Sequence, residues 1–174
     1  MGGVNLRMFG PGDSLEDLTA LLHRAYAELA AMGFNYTASY QDAAATGRRI
    51  AVGECWLAVV DGVVAGTATL TLRPAKSLPP GFPPAETPFI NQVGVDLPFR
   101  GRGIGRLLLD RCEERAAALG YAAVGLDTAE GATRLVRMYG GRGYREVGRH
   151  RWEGKTYESV VMVKDLAAPA TGGV

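Results

Sequence analysis

Residues 100–106 constrain the fold of this chain more than any other segment. They read Arg-Gly-Arg-Gly-Ile-Gly-Arg and stand between a strand-like run, Phe89–Val95, and a helical pattern that starts at Ile104. Glycine lets the main chain turn sharply and approach a ligand closely. The N–H groups at a helix start are unpaired and lie at the positive end of the helix dipole, so they favour phosphate. The segment therefore predicts a strand, a phosphate-binding loop and a helix in succession.

Composition limits what else the chain can be. It has 174 residues, 47% of them hydrophobic and 21% charged, with a net charge of +1, which is typical of one globular domain. Residues 100–151 carry 11 arginines and 6 acidic residues, a local net charge of +5. A positive segment within a nearly neutral chain favours a small polyphosphate ligand and argues against a nucleic-acid partner.

Targeting and thiol signals indicate a cytoplasmic protein without a membrane partner. No apolar run reaches the roughly 18 residues that a membrane span needs, and residues 1–7 lack the apolar core of a signal peptide. Cys55 and Cys112 form no metal-binding or redox pair motif. We therefore expect two free thiols in a reducing compartment, and Cys112 fits the apolar face of a helix.

Hydrophobic periodicity predicts a mixed α/β domain. Asp61-Gly62 indicates a tight hairpin, Gly140-Gly141 a helix end, and the Pro-rich segment 73–88 a stiff surface loop. His23 fits a boundary position on the first helix. The predicted strands span 4–9, 55–60, 63–72, 89–95, 122–126, 144–147 and 157–164, and the predicted helices span 15–31, part of 33–49, 104–119 and 132–139.

The glycine loop does not match either of two common nucleotide-binding motifs. A P-loop needs Gly-Lys-Ser/Thr after its glycines, and none is present. The dinucleotide pattern Gly-x-Gly-x-x-Gly is missed because Arg106 stands where its last glycine belongs. The spacing Arg100-Gly101-Arg102-Gly103-Ile104-Gly105 instead resembles the acetyl-CoA signature of the GCN5-related N-acetyltransferase (GNAT) family, Arg/Gln-x-x-Gly-x-Gly/Ala.

A second signature supports this resemblance. The run Tyr139-Gly140-Gly141-Arg142-Gly143-Tyr144 is similar to the family's Tyr-x-x-x-Gly-Phe/Tyr at a helix end. The element order matches over most of the chain. The pattern departs from the family at residues 127–130, Asp-Thr-Ala-Glu, where many members have Asn.

The resemblance implies a fold, an activity and a set of partners. The fold is a single mixed, mostly antiparallel sheet flanked by helices, over residues 1–166, with a flexible tail at 167–174. The activity is N-acetyl transfer from acetyl-CoA, without a metal, to a primary amine of a small molecule or peptide, by direct attack in a ternary complex. Edge-strand pairing into a homodimer is common in such domains. The alternative is a non-catalytic acyl-CoA-binding sensor of the same fold.

The resemblance also implies the roles of individual residues. The pantetheine arm pairs with a splayed strand at residues 92–95, and a main-chain N–H near Val93 binds the thioester oxygen. Gly94 also fits a simple bulge glycine. The coenzyme-binding residues are Val93, Gly94, Val95, Arg100, Gly101, Arg102, Gly103, Ile104, Gly105, Arg106 and Tyr139.

The resemblance implies few candidates for proton transfer. Tyr139 is expected to protonate the departing thiolate. No carboxylate stands on the strand at residues 89–92, so Glu86 and Glu130 are the candidates for the base, and Asn91 or Gln92 could order a relay water. Recognition of the acceptor amine is expected from residues 34–40 and from the Pro-rich segment.

Overall fold

The computed structural model of the protein describes residues 3–72 and 86–167. The predictions for most of the Pro-rich segment (73–85) and for the tail beyond residue 167 lie outside the described residues. Within the described ranges there are four α-helices and seven strands. The helices are α1 (Leu15–Ala31), α2 (Ala43–Ile50), α3 (Ile104–Ala118) and α4 (Thr133–Gly141), and the strands are β1 (Val4–Met8), β2 (Gly53–Val60), β3 (Val63–Thr71), β4 (Phe89–Val95), β5 (Ala123–Ala129), β6 (Arg145–His150) and β7 (Ser159–Asp165).

All seven strands form one mixed sheet in the order β1-β2-β3-β4-β5-β7-β6. Every neighbouring pair is antiparallel except β4 and β5, which run parallel. This arrangement confirms the predicted single, mostly antiparallel sheet. The one parallel pair lies in the centre, where the chain passes from β4 through α3 to β5.

The helices pack on both faces of the sheet. Leu57 of β2 contacts the apolar cluster of α1, whereas the next residue, Ala58, belongs to the cluster that includes Leu108 and Cys112 of α3. Successive side chains of a strand point to opposite faces, so α1 and α3 cover opposite sides. Cys112 is fully buried, as its predicted core position requires. The helix α1 starts where predicted, because the Ser14 hydroxyl accepts a hydrogen bond from the Asp17 N–H at 3.1 Å.

Strands β4 and β5 separate almost as soon as they meet. Their ladder has one register pair, Phe89 with Gly125, supported by a hydrogen bond from the Gly125 N–H to the Pro88 carbonyl at 2.9 Å. Beyond that pair, the β5-facing edge of β4 has no ladder partner among the described residues. The splayed strand inferred from the family resemblance is therefore present, and the gap between the two strands opens a cleft.

We expect Gly125→Ala to destabilise the protein by about 1–3 kcal/mol, the usual cost of overpacking. A Cβ at this position would lie 2.7 Å from the ring of Phe89, at the point where the strands meet. Urea unfolding measures the loss, and Phe89→Leu in the same chain should restore part of it. Gly12→Ala is the control, since a Cβ there meets nothing within 4 Å. Equal midpoints for Gly125→Ala and wild type would contradict the steric interpretation of this contact.

A β-bulge interrupts β4 opposite β3. Thr67 pairs with Gly94 and Thr69 pairs with Asn91, so two residues of β4 lie opposite one residue of β3. Gln92 carries the positive φ of this bulge, 53°. The interpretation of Gly94 as the bulge glycine is therefore wrong.

Gly94 serves helix packing instead. A Cβ on Gly94 would lie 3.0 Å from the Cβ of Ala25 on α1. The absence of a side chain lets α1 approach β4 at the wall of the cleft. The glycine is explained by tertiary packing and not by a local turn.

The predicted hairpin is confirmed, but the predicted ends of α4 and β5 differ from those in the structure. Asp61 and Gly62 have φ of 49° and 81° and form the expected tight hairpin. However, α4 continues through Gly141, and the chain turns at Gly143, whose φ is 93°, so the predicted end at Tyr139, with Gly140-Gly141 as the stop, is wrong. The predicted end of β5 at residue 126 is also wrong, because pairing with β7 carries that strand to Ala129.

Candidate active site

The glycine loop presents a row of unpaired main-chain donors at the start of α3. Gly101 and Gly103 have φ of 77° and 75°, which only glycine adopts at little cost. The first helical hydrogen bond runs from Leu107 N–H to the Gly103 carbonyl at 3.1 Å. In the described part of the chain, no acceptor pairs with the N–H groups of residues 101–106. The loop is exposed and lies at the positive end of the helix dipole, so it can bind an anion.

The three arginines of this loop differ in what their side chains contact. Arg100 donates to the Ala25 carbonyl at 2.8 Å and to Glu28 at 3.1 Å, which ties the loop to α1. Arg102 stacks on the Phe99 ring, 5.5 Å from its centroid. Arg106 is exposed and lies 3.6 Å from Asp110. The side chain of Arg100 therefore positions the loop, and Arg106 is the loop arginine best placed to meet a ligand.

A cleft of about 1060 Å³ extends from the glycine loop through the gap between β4 and β5. Most of the residues that the family resemblance implied for coenzyme binding and catalysis line this cleft. Those that line it are Val93, Gly94, Val95, Arg100, Gly101, Gly103, Ile104, Gly105, Arg106 and Tyr139. Arg102 and Glu86 are absent from its lining.

Tyr139 of α4 lines this cleft. The residue is 7% exposed, and its ring centroid lies 5.9 Å from that of Tyr144. In the described residues, no group forms a hydrogen bond with its hydroxyl, although the residue lines the cleft. Burial raises the pKa of the Tyr139 phenol. The hydroxyl is therefore protonated at neutral pH and available as a donor.

The bulge in β4 is held by buried side-chain amides. The Gln92 Oε1 accepts from Gln41 Nε2 at 2.8 Å, and the Gln92 Nε2 donates to the Thr69 hydroxyl at 3.2 Å. Asn91 donates to the Thr71 hydroxyl at 2.9 Å. Both amides that were considered for a relay water are therefore engaged in supporting the strand. No local pattern marks this structural role of Gln92, because its partner Gln41 is 51 residues away.

The carboxylates proposed as bases lie away from the cleft, and another one lines it. Glu86 is exposed, and Glu130 is exposed and paired with Arg149. Asp127 of β5 lines the cleft, and its Oδ2 accepts from Trp152 Nε1 at 3.1 Å and from the Ser159 hydroxyl at 2.8 Å. The sequence marked Asp127 only as a departure from the family pattern. The two-residue periodicity of a longer β5 would have placed it on the cleft face.

One part of the cleft wall is aromatic, and we call it the aromatic chamber. The ring of Tyr36 lies 5.4 Å from that of Tyr26 and 5.0 Å from that of Tyr157. The Tyr36 hydroxyl shares a hydrogen bond of 2.8 Å with the Thr128 hydroxyl. Tyr40 completes the wall, while Phe34 packs beneath it against Tyr157. Residues 34–40 thus supply two tyrosines to the region expected to recognise the acceptor.

Neither a metal centre nor a membrane-spanning helix is found within residues 3–72 and 86–167. These residues contain no group of three or more His, Cys, Asp or Glu side chains able to hold a metal ion. None of their helices combines the length and the apolar character needed to cross a membrane. The two cysteines are both buried and unpaired.

Comparisons with known proteins agree with this geometry. The sequence profile of the Acetyltransferase (GNAT) family matches residues 15–144. The S-(2-succino)cysteine N-acetyltransferase of Bacillus subtilis (strain 168) is 32% identical over 153 residues, covering 87% of this chain and 90% of that protein.

Solved structures show the same fold. PH1933 from Pyrococcus horikoshii OT3 has a TM-score of 0.74 at 17% identity, covering 95% of this chain and 99% of that one. A GNAT family acetyltransferase from Elizabethkingia anophelis with acetyl-CoA bound has a TM-score of 0.66 at 18% identity, covering 94% and 98%.

Proposed function

This chain belongs to the acetyltransferase (GNAT) family and is an acetyl-CoA-dependent N-acetyltransferase, and we propose that it acetylates the primary amine of a small molecule by direct attack on the bound thioester. One observation carries the proposal. A single cleft joins the glycine loop, the open edge of β4, the Tyr139 hydroxyl and the aromatic chamber. A donor and an acceptor can therefore meet in it without a covalent enzyme intermediate.

The donor half of the cleft fits an extended thioester carrier. The diphosphate binds the free N–H groups of residues 101–106. The pantetheine arm lies along the unpaired edge of β4 and bonds to main-chain groups of Val93 and Val95, like an added strand. The bulge turns a main-chain N–H near Val93 toward the thioester oxygen, where it stabilises the oxyanion that forms on attack.

Tyr139 completes the transfer by protonating the leaving thiolate. A thiol has a pKa of about 8.5 and a phenol about 10 in water. Burial raises the pKa of Tyr139, and the same dry cleft disfavours the thiolate anion as well. Proton transfer from Tyr139 therefore neutralises the poorly solvated thiolate as the C–S bond breaks.

Asp127 receives the acceptor amine. Its Oδ2 is occupied by Trp152 and Ser159, which fix the carboxylate in the wall of the cleft and leave Oδ1 for an incoming ammonium group. Attack needs a neutral amine, so the ammonium must lose a proton before the C–N bond forms. We assign to Asp127 the orientation of the amine and the acceptance of that proton, directly or through water.

Asp127→Asn should lower kcat/KM for the amine by about 100-fold, because general base catalysis typically contributes that much or more. The KM for acetyl-CoA should change little, since Asp127 lies outside the donor half. Steady-state kinetics with both substrates varied measures this. Glu153→Gln removes an exposed carboxylate at the rim of the same cleft and is the matched control. An Asp127→Asn enzyme within twofold of wild type would remove Asp127 from the mechanism.

The small-molecule acceptor is supported by the relative from Bacillus subtilis, whose acceptor is S-(2-succino)cysteine. We place the reaction in the cytoplasm, in keeping with two unpaired thiols. Release of free coenzyme A with a panel of amines tests the function. The panel holds S-(2-succino)cysteine, free amino acids and their carboxamides, polyamines and short peptides.

At least one small amine should give thiol release in step with its acetylated product. Thiol release no faster than acetyl-CoA hydrolysis with every amine, in a protein that binds coenzyme A, would point to the sensor function instead. Release with peptides alone would contradict the small-molecule acceptor.

A further inference from the structure

Arg49 is a cleft residue whose charge has no partner within the described chain. It lies in the last turn of α2, lines the cleft beside the aromatic chamber and is partly buried. No carboxylate of the described residues comes within 4.0 Å of its guanidinium, whereas Arg24 and Arg142 contact Asp96 at 2.6 Å and Glu113 at 2.9 Å. Among those residues, its one side-chain hydrogen bond runs from Nη1 to the Gln41 Oε1 at 2.5 Å.

This arrangement leaves the guanidinium ready for an anion. Arginine carries five N–H donors in a planar fork, and Gln41 takes one of them. Burial lowers the pKa of Arg49, and the carboxylate of Asp127 acts in the opposite direction from a distance greater than an ion pair. A desolvated cation is costly unless a counter-charge meets it. The fork matches the two oxygens of a carboxylate.

Hydrogen bonds of Gln41, the acceptor of the Arg49 guanidinium, also hold that guanidinium in place. The amide of Gln41 donates from Nε2 to the Thr46 hydroxyl at 2.7 Å and to Gln92 at 2.8 Å, and its main-chain carbonyl accepts from His23 Nε2 at 2.8 Å. These bonds orient the Gln41 Oε1 toward Arg49. The same amide thus contacts both the β4 bulge and the cation, which fixes the position of the cation relative to the bulge.

A second cation lies near the same chamber. Lys155 Nζ donates to the Asn35 carbonyl at 2.9 Å, the Thr37 hydroxyl at 2.8 Å and the Tyr40 hydroxyl at 3.1 Å, so it adds positive charge while its own donors are occupied. Lys155 and Arg49 both line the cleft, as does Asp127. This part of the cleft therefore offers positive charge for an acid group and the Asp127 carboxylate for an ammonium.

We propose that Arg49 binds a carboxylate of the acceptor, so that the enzyme selects amino acids and related amino-carboxylates over other small amines. This inference rests on the proposed function and deepens it. Arg49 is a specificity-determining residue: it binds the acceptor's acid group while Asp127 holds its amine, and it takes no part in proton transfer.

The test compares acceptors that differ only in the acid group. For wild type we expect kcat/KM at least about tenfold higher for the best amino acid of the panel than for its carboxamide, because a bond between two charged groups is lost with the amide. Arg49→Gln should raise the KM of the acid at least about tenfold, abolish the preference over the amide, and leave the KM of acetyl-CoA within about threefold. Arg49→Lys should recover part of the preference through its charge.

Arg48→Gln is the matched control, since Arg48 precedes Arg49 on α2 but is exposed and outside the cleft lining. It should keep the wild-type preference. A wild type that acetylates acid and amide equally well, or an Arg49→Gln enzyme that keeps the preference, would overturn the inference while the N-acetyltransferase function stands. Acetylation of no small amine at all would instead refute the proposed small-molecule acceptor.

Discussion

Replacing Gly103 by alanine is expected to weaken acetyl-CoA binding by about tenfold or more, the equivalent of one charge-assisted hydrogen bond lost. Gly103 has a φ of 75° and directly precedes α3, and its surroundings are open, since a Cβ at this position would meet nothing within 4 Å. A side chain there strains the main chain by about 1–2 kcal/mol, and it also occupies the space in which the diphosphate would lie. Isothermal titration of the variant with coenzyme A measures the loss of affinity.

Gly120→Ala separates the binding effect from the conformational one. Gly120 follows the other end of α3, has a φ of 88° and likewise has open space around it, but it lies outside the cleft. Both alanine variants should lose similar stability in urea, and only Gly103→Ala should lose affinity for coenzyme A. Equal affinities in the two variants would mean that the diphosphate does not contact the loop.

Tyr139→Phe should lower kcat by about 100-fold, in line with the usual contribution of a positioned proton donor. Phenylalanine keeps the ring that packs against Tyr144 and removes only the hydroxyl that faces the cleft. The Kd for coenzyme A should therefore stay within about twofold, because a single uncharged contact is at most a small part of the binding free energy. Steady-state kinetics at several pH values, combined with titration of coenzyme A, measures both quantities.

Tyr144→Phe provides the matched control. The Tyr144 hydroxyl donates to Glu113 at 3.0 Å in a buried cluster that also contains Arg142 and Lys164, away from the cleft. Its removal should cost about 1 kcal/mol of stability and leave kcat unchanged. If Tyr139→Phe turned over at the wild-type rate across the pH range, the thiolate would have to take its proton from elsewhere.

The sequence predicts those features that depend on neighbouring residues. The Asp61-Gly62 hairpin, the Ser14 cap of α1 and the glycine loop each rest on a few consecutive side chains, and the structure has all three. The central splay between β4 and β5 came from the family resemblance and not from periodicity. Local chemistry and resemblance together therefore predicted the architecture, including the glycine loop and the gap between β4 and β5.

The features that the sequence missed depend on contacts between distant segments. The sequence suggested a bulge at Gly94, but the bulge lies at Gln92, where Gln41 and Thr69 stabilise it. Asp127 becomes a cleft residue only because pairing with β7 extends β5. Arg49 is one of two adjacent arginines, and burial in the folded chain alone distinguishes it from Arg48.

These distant contacts also connect the two halves of the cleft. Gln41 supports the β4 bulge through Gln92, and its Oε1 accepts from Arg49 in the aromatic chamber. A change at Gln41 is therefore expected to affect both substrates, whereas changes at Gly103 and Arg49 each affect one. In the proposed mechanism, the transfer chemistry and the recognition of the acceptor therefore depend on one buried side chain.

The most direct test of the central claim is a crystal structure of this protein with coenzyme A bound. We expect the diphosphate oxygens within hydrogen-bonding distance, about 3 Å, of the main-chain N–H groups of residues 101–106, with the pantetheine arm along β4. A diphosphate bound elsewhere on the protein, with those N–H groups facing only solvent, would contradict it.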